Sequence, residues 1–294
     1  MIVPRRSALF MPASNARALD KARTLPADVL IFDLEDAVAP DAKPAARGMA
    51  VTAASGGGYG RREVVIRVNG PDTPWGRDDL VAAAHSGAAA VLLPKVESPA
   101  AVVAALDTLA AHGAPESMAL WCMVETPRGV LAAAAIAAAS PRVGALVMGT
   151  SDLAKELGAR PTRDRLPLAT SLGLVVLAAR AHGRVALDGV HLDLADEDGF
   201  IGACRQGRDM GFDGKTLIHP KQIAAANAAF GPSAEEIAGA RRIIGVHDAA
   251  AAAGKGVAVR DGRLIETLHA AEARRVVALA EAIELLESAA TARA

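Results

Sequence analysis

Short, unbroken apolar runs alternate with longer segments of helical composition along most of the chain. Val29-Leu-Ile-Phe32, Ala89-Ala-Val-Leu-Leu93 and Met118-Ala-Leu-Trp-Cys-Met-Val124 are each bounded by turn formers. Runs of this length without polar alternation are the pattern of strands buried on both faces. The same reading predicts strands over Ser7–Met11, Val29–Phe32, Glu63–Val68, Ala89–Leu93, Ala119–Val124, Ala145–Met148, Val185–Val190 and Lys215–Ile218. Helices are predicted over Ala16–Thr24, Pro44–Val51, Asp78–Ser86, Ser98–His112 and the Ala-rich stretch Leu131–Ala139. Eight strands separated by helices predict an α/β fold of the (β/α)8 TIM-barrel type, with its chemistry at the carboxyl ends of the strands. An open doubly wound sheet is the alternative, but no Gly-x-Gly-x-x-Gly turn follows the first strand.

Helices at Pro220–Phe230 and Ser233–Ala253 are expected to complete the barrel. A Gly254-Lys-Gly256 break, a short strand Val257–Val259, a turn at Asp261-Gly262 and a helix from Thr267 follow. The expected division is a catalytic domain over 1–230 and a carboxyl-terminal helical extension over 231–294, large enough to act as a lid or reach a neighbouring subunit. The insert Ala53–Arg62, with Gly56-Gly-Gly58, is expected to be a flexible loop. A phosphate cradle would open a helix, whereas this segment precedes a strand.

Composition narrows the function classes. The net charge is -1, from 32 basic and 33 acidic side chains, and no basic run offers a footprint for nucleic acid. The longest apolar stretch, Leu131–Ala139, is far short of the ~20 residues of a membrane span. Cys122 falls in an apolar strand and Cys204 in a helical stretch, the setting of inert thiols in a reducing cytoplasm. The segment Met1–Ser7 leads into a strand too short for a signal-peptide core.

Several predicted strand ends carry reactive groups. Strand two ends in Asp33-Leu-Glu35-Asp36, strand three in Arg67-Val-Asn69, and strand four in Lys95-Val-Glu97. Strand five ends in Glu125, and strand six runs into Gly149-Thr-Ser151-Asp152. Strand seven carries Asp188 and His191, and strand eight Lys215 and His219. Buried or rim charges need partners to offset their desolvation. Any one of these can be a structural ion pair, but their collective placement at one face of a barrel points to a shared site. Glu125 and Asp152 on neighbouring strands are expected to converge on a hard cation, Mg2+ with Mn2+ as the alternative, leaving open positions for water and substrate oxygens. Arg67 is placed to polarise an oxygen of an α-keto or α-hydroxy acid, with Glu35 or Asp36 holding the guanidinium or a cation-bound water.

The blocks Arg6-Ser-Ala-Leu-Phe-Met-Pro-Ala-Ser-Asn15, Phe32-Asp-Leu-Glu-Asp-Ala-Val38, Ile66-Arg-Val-Asn69, Leu93-Pro-Lys-Val-Glu97, Glu125-Thr-Pro-Arg-Gly129 and Gly214-Lys-Thr-Leu-Ile-His-Pro220 resemble the citrate lyase β-subunit-like CoA-ester lyases of the HpcH/HpaI superfamily. The resemblance implies a Mg2+-dependent barrel, trimeric or hexameric, that cleaves a 3-hydroxyacyl-CoA of malyl, methylmalyl or citramalyl type into an acyl-CoA and glyoxylate or pyruvate. It implies Glu125 and Asp152 as metal ligands, Arg67 on the keto-acid oxygen, and Ser151 among the substrate contacts. It further implies Phe10 and Lys21 as CoA contacts, Asn15 where some malyl-CoA lyases carry arginine, and His219 near the pantetheine arm. The family commonly ends in Gly-x-Met-Ile-Asp, whose aspartate serves a neighbouring active site as acid/base; this chain reads Gly262-Arg-Leu-Ile-Glu266. A carboxylate one methylene longer keeps a malyl-CoA thioesterase open beside the lyase, since proton transfer tolerates little misplacement. A subunit working only with an acyl-carrier partner is the third reading.

Overall fold

The structure is a computed structural model and describes residues 2–254, 257–260 and 263–291. Eight parallel strands close into a barrel in chain order: β1 (Ser7–Pro12), β2 (Val29–Asp33), β3 (Glu63–Arg67), β4 (Ala90–Leu93), β5 (Ala119–Val124), β6 (Val143–Met148), β7 (Val185–Asp188) and β8 (Gly214–Leu217). The first strand pairs with both β2 and β8, so no barrel edge is left open. The expected (β/α)8 barrel is therefore the fold.

Side chains alternate along each strand, and every second one meets its counterparts in a single buried cluster. Val29 and Ile31 of β2, Ala90 and Leu92 of β4, and Trp121 and Met123 of β5 belong to it. Trp121 is fully buried there. Arg5 lies 5.3 Å over its ring and pairs with Glu63, the first residue of β3, near the amino-terminal end.

Two parts of the sequence reading are corrected. The insert Ala53–Arg62 is not a flexible loop. Its first residues are the last turn of the helix Lys43–Gly56, and Gly57 ends that helix with φ at 63°. Tyr59 is buried and its hydroxyl donates to the Leu19 carbonyl at 3.1 Å. Arg62 donates to the carbonyls of Ala22, Arg23 and Leu25, satisfying the end of the preceding helical turn. The predicted helix Leu131–Ala139 is instead two short ones, Pro127–Leu131 and Ala133–Ala138, broken at Ala132, and Leu131 is 83% exposed. The helices Thr150–Leu157, Ala169–Ala181 and Glu197–Met210 complete the intervals that the sequence reading left without defined bounds.

Arg5–Asn227 form one compact unit, which contains the whole barrel. The residues from Ala228 onward, with the segment before Arg5, form a second. Within the second, the helix Ala234–Ala252 opens with a capping box between Ser233 and Glu236 and packs against the helix Thr267–Thr291. Ala240, Ala270, Ala273 and Ala280 are buried, small enough for close helix approach. Strands β9 (Ala258–Arg260) and β10 (Arg263–Ile265) pair antiparallel. Their predicted turn, Asp261-Gly262, lies outside the described residues, as do Lys255 and Gly256 of the expected Gly-rich break. Among the described residues no helix is long and apolar enough to cross a membrane.

Candidate active site

Extending the inward alternation of the strands by one more step leads from core to chemistry. Two residues past Ile31, Val65 and Met123 stand Asp33, Arg67 and Glu125; the same step from Val147 reaches Gly149. Phe10 and these four residues line a cavity of about 520 Å³ at the carboxyl ends of the strands, together with Ser151 and Asp152. The location is that of ligand sites in (β/α)8 barrels.

Glu125 immediately follows β5, and Thr126 caps the next helix by accepting from the Gly129 N–H at 3.0 Å. Burial pushes the Glu125 carboxyl up to about 7, with the neighbouring Glu35 charge adding to the effect. Among the described residues its only hydrogen-bond donor is the Lys95 N–H, 2.8 Å from Oε1. Asp152 lies in the first turn of the helix Thr150–Leu157, where the helix dipole favours a carboxylate, and no side-chain partner satisfies it among the described residues. A buried carboxylate and a half-buried one, both facing one cavity and neither in an ion pair among the described residues, fit a divalent cation. Among the described residues no cluster of three or more His, Cys, Asp or Glu could hold a metal. A two-carboxylate set leaves the remaining positions to water and substrate oxygens, the habit of Mg2+.

Gly149 permits this geometry. A Cβ built there would stand 2.3 Å from Glu125 Oε2 and 2.4 Å from its Cβ. Gly149→Ala is therefore expected to push the Glu125 carboxylate out of place and to cost about 1–3 kcal/mol of stability. Urea unfolding of the variant checks the second effect, and a wild-type midpoint would contradict the tight packing.

Arg67 is clamped on several sides. Its Nε and Nη2 donate to the two oxygens of Asp33 at 2.7 and 2.6 Å, a bidentate pair between residues directly opposite in the β2–β3 register. Its Nη1 lies 2.8 Å from Glu35 and 3.2 Å from Asp36, and Phe10 packs its ring 4.6 Å from the guanidinium carbon. Burial opposes the charge, but Asp33, Glu35 and Asp36 outweigh it and raise the Arg67 pKa. Burial likewise raises the Glu35 carboxyl, with Arg67 working against it. The guanidinium is thus held mainly by Asp33, a residue to which sequence reasoning attached no role. Glu35 and Asp36 are its secondary partners. Lys95, another strand-end group to which no role was attached, reaches Glu35 Oε1 with its ammonium at 3.3 Å. Burial lowers its pKa, but Glu35, Glu125 and Asp152 together raise it further.

The remaining predicted residues lie apart from this cluster. Asn15 caps the helix Ala16–Lys21 by accepting from the Ala18 N–H, and Lys21 is exposed at that helix's end. His219 caps the turn Pro220–Gln222, its Nδ1 accepting from the Lys221 N–H at 3.2 Å. None of these three lines the 520 Å³ cavity. Glu266 belongs to the second unit and immediately precedes the helix Thr267–Thr291; its N–H donates to His269 Nδ1 at 3.1 Å. Both cysteines are buried and free, and burial raises their thiols to about 12 for Cys122 and about 11 for Cys204, leaving neither as a thiolate nucleophile at neutral pH.

Residues 6–220 match the HpcH/HpaI aldolase/citrate lyase family. A (3S)-malyl-CoA thioesterase of Cereibacter sphaeroides is 52% identical over 280 residues, covering 95% of this chain and 96% of the relative. An L-malyl-CoA/β-methylmalyl-CoA lyase of the same species is 35% identical over 305 residues, with the same coverage. Among solved structures, the protein CitE from Mycobacterium tuberculosis in complex with magnesium, acetoacetate and coenzyme A superposes with a TM-score of 0.74 at 33% identity, covering 94% of this chain and 97% of that one. Together with the closed barrel and the acidic cavity at its carboxyl-terminal end, these matches establish that the chain belongs to the HpcH/HpaI aldolase/citrate lyase family.

Proposed function

We propose that the chain is a Mg2+-dependent enzyme that hydrolyses a malyl-CoA-type thioester to malate and CoA. The observation that carries this reading is the convergence of Glu125, Asp152 and Arg67 on one cavity, in a chain 52% identical to a malyl-CoA thioesterase. The magnesium complex of a relative at 33% identity supports the choice of ion. Glu125 and Asp152 would hold the cation. When bound, it supplies Lewis-acid polarisation of substrate oxygens.

The protein's own groups divide the remaining work. Arg67, fixed by Asp33, presents positive charge to the substrate carboxylate or hydroxyl without reorganising at the moment of reaction. Phe10, Met123 and Met148 make much of the cavity wall apolar, which strengthens those charge interactions. Lys21 and His219 lie outside the cavity, where the extended CoA arm would meet them. Glu266 acts as the base that takes a proton from the attacking water, delivered by the appendage 231–294 to the cavity of a neighbouring subunit in a trimer or hexamer. Lyase chemistry, yielding an acyl-CoA and glyoxylate, is the second reading, supported by the 35% identical lyase.

Mass spectrometry of the products from malyl-CoA separates the readings. Hydrolysis yields free CoA and malate, whereas acetyl-CoA with glyoxylate would overturn it in favour of the lyase. Activity only with an added acyl-carrier protein would point to a complex subunit instead. Glu266→Ala is expected to lower kcat by about 10²-fold or more while leaving KM within a few-fold, as for a group acting in the transition state. Glu266→Asp is expected to raise the ratio of glyoxylate to free CoA. Wild-type kinetics in the Ala variant would remove Glu266 from the mechanism.

A further inference from the structure

Lys95 carries a side chain on a left-handed backbone, with φ at 50°; Arg165 is the other non-glycine residue with positive φ among those described. That conformation is disfavoured for side-chain-bearing residues and persists only where the surroundings impose it. Here it ends the run from β4 and brings two groups of one residue to bear on two carboxylates. The Lys95 N–H donates to Glu125 Oε1 at 2.8 Å, and the Nζ donates to Glu35 Oε1 at 3.3 Å. Glu35 in turn places Oε2 2.8 Å from Arg67. The next residue, Val96, donates its N–H to the Met123 carbonyl of β5 at 3.1 Å, so two successive N–H groups of the turn are tied to β5 and the residue after it. One residue thus links the carboxylate of the cation pair to a secondary partner of the arginine.

We propose that Lys95 is a positioning residue of the active site, whose N–H fixes the Glu125 carboxylate while its ammonium steadies the Glu35–Arg67 pair and opposes the incoming divalent cation. The inference rests on the cation reading given above. The fixed N–H takes one oxygen of Glu125 and leaves the other for the cation. The ammonium is the protein's mobile positive charge at this rim; its side chain is 49% exposed, so it can swing aside at modest cost. The ammonium contacts Glu35, and Glu35 contacts Arg67, so its charge reaches the arginine through that carboxylate.

Lys95→Gly separates the two roles, because glycine keeps the N–H and adopts the left-handed backbone without strain. Calorimetric titration of the substrate-free protein with Mg2+ is expected to show about three- to tenfold tighter binding in the variant, the size of effect expected for removing a nearby half-exposed charge. Thioester KM is expected to rise about tenfold, because Glu35, a secondary partner of Arg67, loses its own counter-charge. Lys95→Arg restores the charge and is expected to return Mg2+ affinity to the wild-type value. A residue of merely structural importance would move both quantities toward weaker binding. Unchanged or weaker Mg2+ binding in a folded Lys95→Gly protein overturns the proposal, as does a Lys95→Arg protein that behaves like the glycine variant. Circular dichroism establishes the fold of each. A wild-type protein that binds no Mg2+ would overturn the cation reading and this proposal together. Mg2+ binding without thioester turnover would count against the reaction alone and leave the Lys95 comparison decisive.

Discussion

Glu125→Gln and Asp152→Asn are each expected to weaken Mg2+ binding by about 10²-fold and to lower turnover by about 10³-fold or more. The proposed cation site has two carboxylate ligands, Glu125 and Asp152, so loss of either charge would remove half of its anionic set. Both substitutions preserve shape, and Glu125→Gln also relieves a buried charge whose pKa is raised to about 7. The Gln variant should therefore be at least as stable as the wild type in the absence of cation. The sign of the pH effect follows from the same shift. The folded protein favours the protonated carboxyl, so the stability contributed by Glu125 is present at low pH. It is lost as pH rises from the ordinary glutamate range through about 7. A cation needs the ionised form, so Mg2+ affinity should fall about tenfold per pH unit below 7 and level off above it. Calorimetry across pH 5.5 to 8.5, a range chosen to bracket about one and a half units on either side of that pKa, tests this. Affinity independent of pH, or unchanged in both variants, would remove the two carboxylates from the cation site.

Arg67→Lys is the second large effect. Lysine keeps the charge but cannot serve both oxygens of Asp33 and Glu35 from one planar fork. Asp33, 1% exposed, would be left with an incomplete partner, at a cost of about 3 kcal/mol of stability. The expected fall in kcat is about 10²–10³-fold, the range seen when a fixed donor to developing charge is lost. Steady-state kinetics and thermal unfolding of the same preparation measure both consequences. Turnover within a few-fold of wild type, with stability reduced, would make Arg67 a structural partner of Asp33 and no more.

Short unbroken apolar runs bounded by turn formers made the barrel legible, because strands buried on both faces carry no polar alternation. Their places at the carboxyl ends of those runs put Arg67 and Glu125 at the rim, and Asp152 followed from its place after β6. Asp33 was visible as a residue but not as the arginine's partner, since that role depends on which residue of β2 lies opposite which residue of β3. Pairing register is a tertiary quantity that no single strand encodes. The left-handed backbone of Lys95 was hidden for another reason: no glycine marks it, and the conformation is imposed by contacts with Glu125 and Glu35. Asn15 and His219 act in this structure as caps of their own helical turns, a local role that their family positions did not announce. The Gly-rich insert was misread because buried Tyr59 and the Arg62 guanidinium, not its glycines, decide its order.

Closure of the barrel gives the Asp33–Arg67 pairing a protection that an open sheet would lack. In an open sheet one strand can slide past its neighbour and disturb that seam alone. Around a ring of eight, every seam shares one total stagger, so a slip of β2 against β3 must be made good elsewhere in the circle. A one-residue slip would also turn the lumen side chains of the slipped strand outward. Insertions and deletions inside these strands should therefore be purged during evolution, while the connecting loops lengthen and shorten freely. Lineages of this fold can then explore new substrates at the rim without putting the guanidinium and its counter-charge out of step.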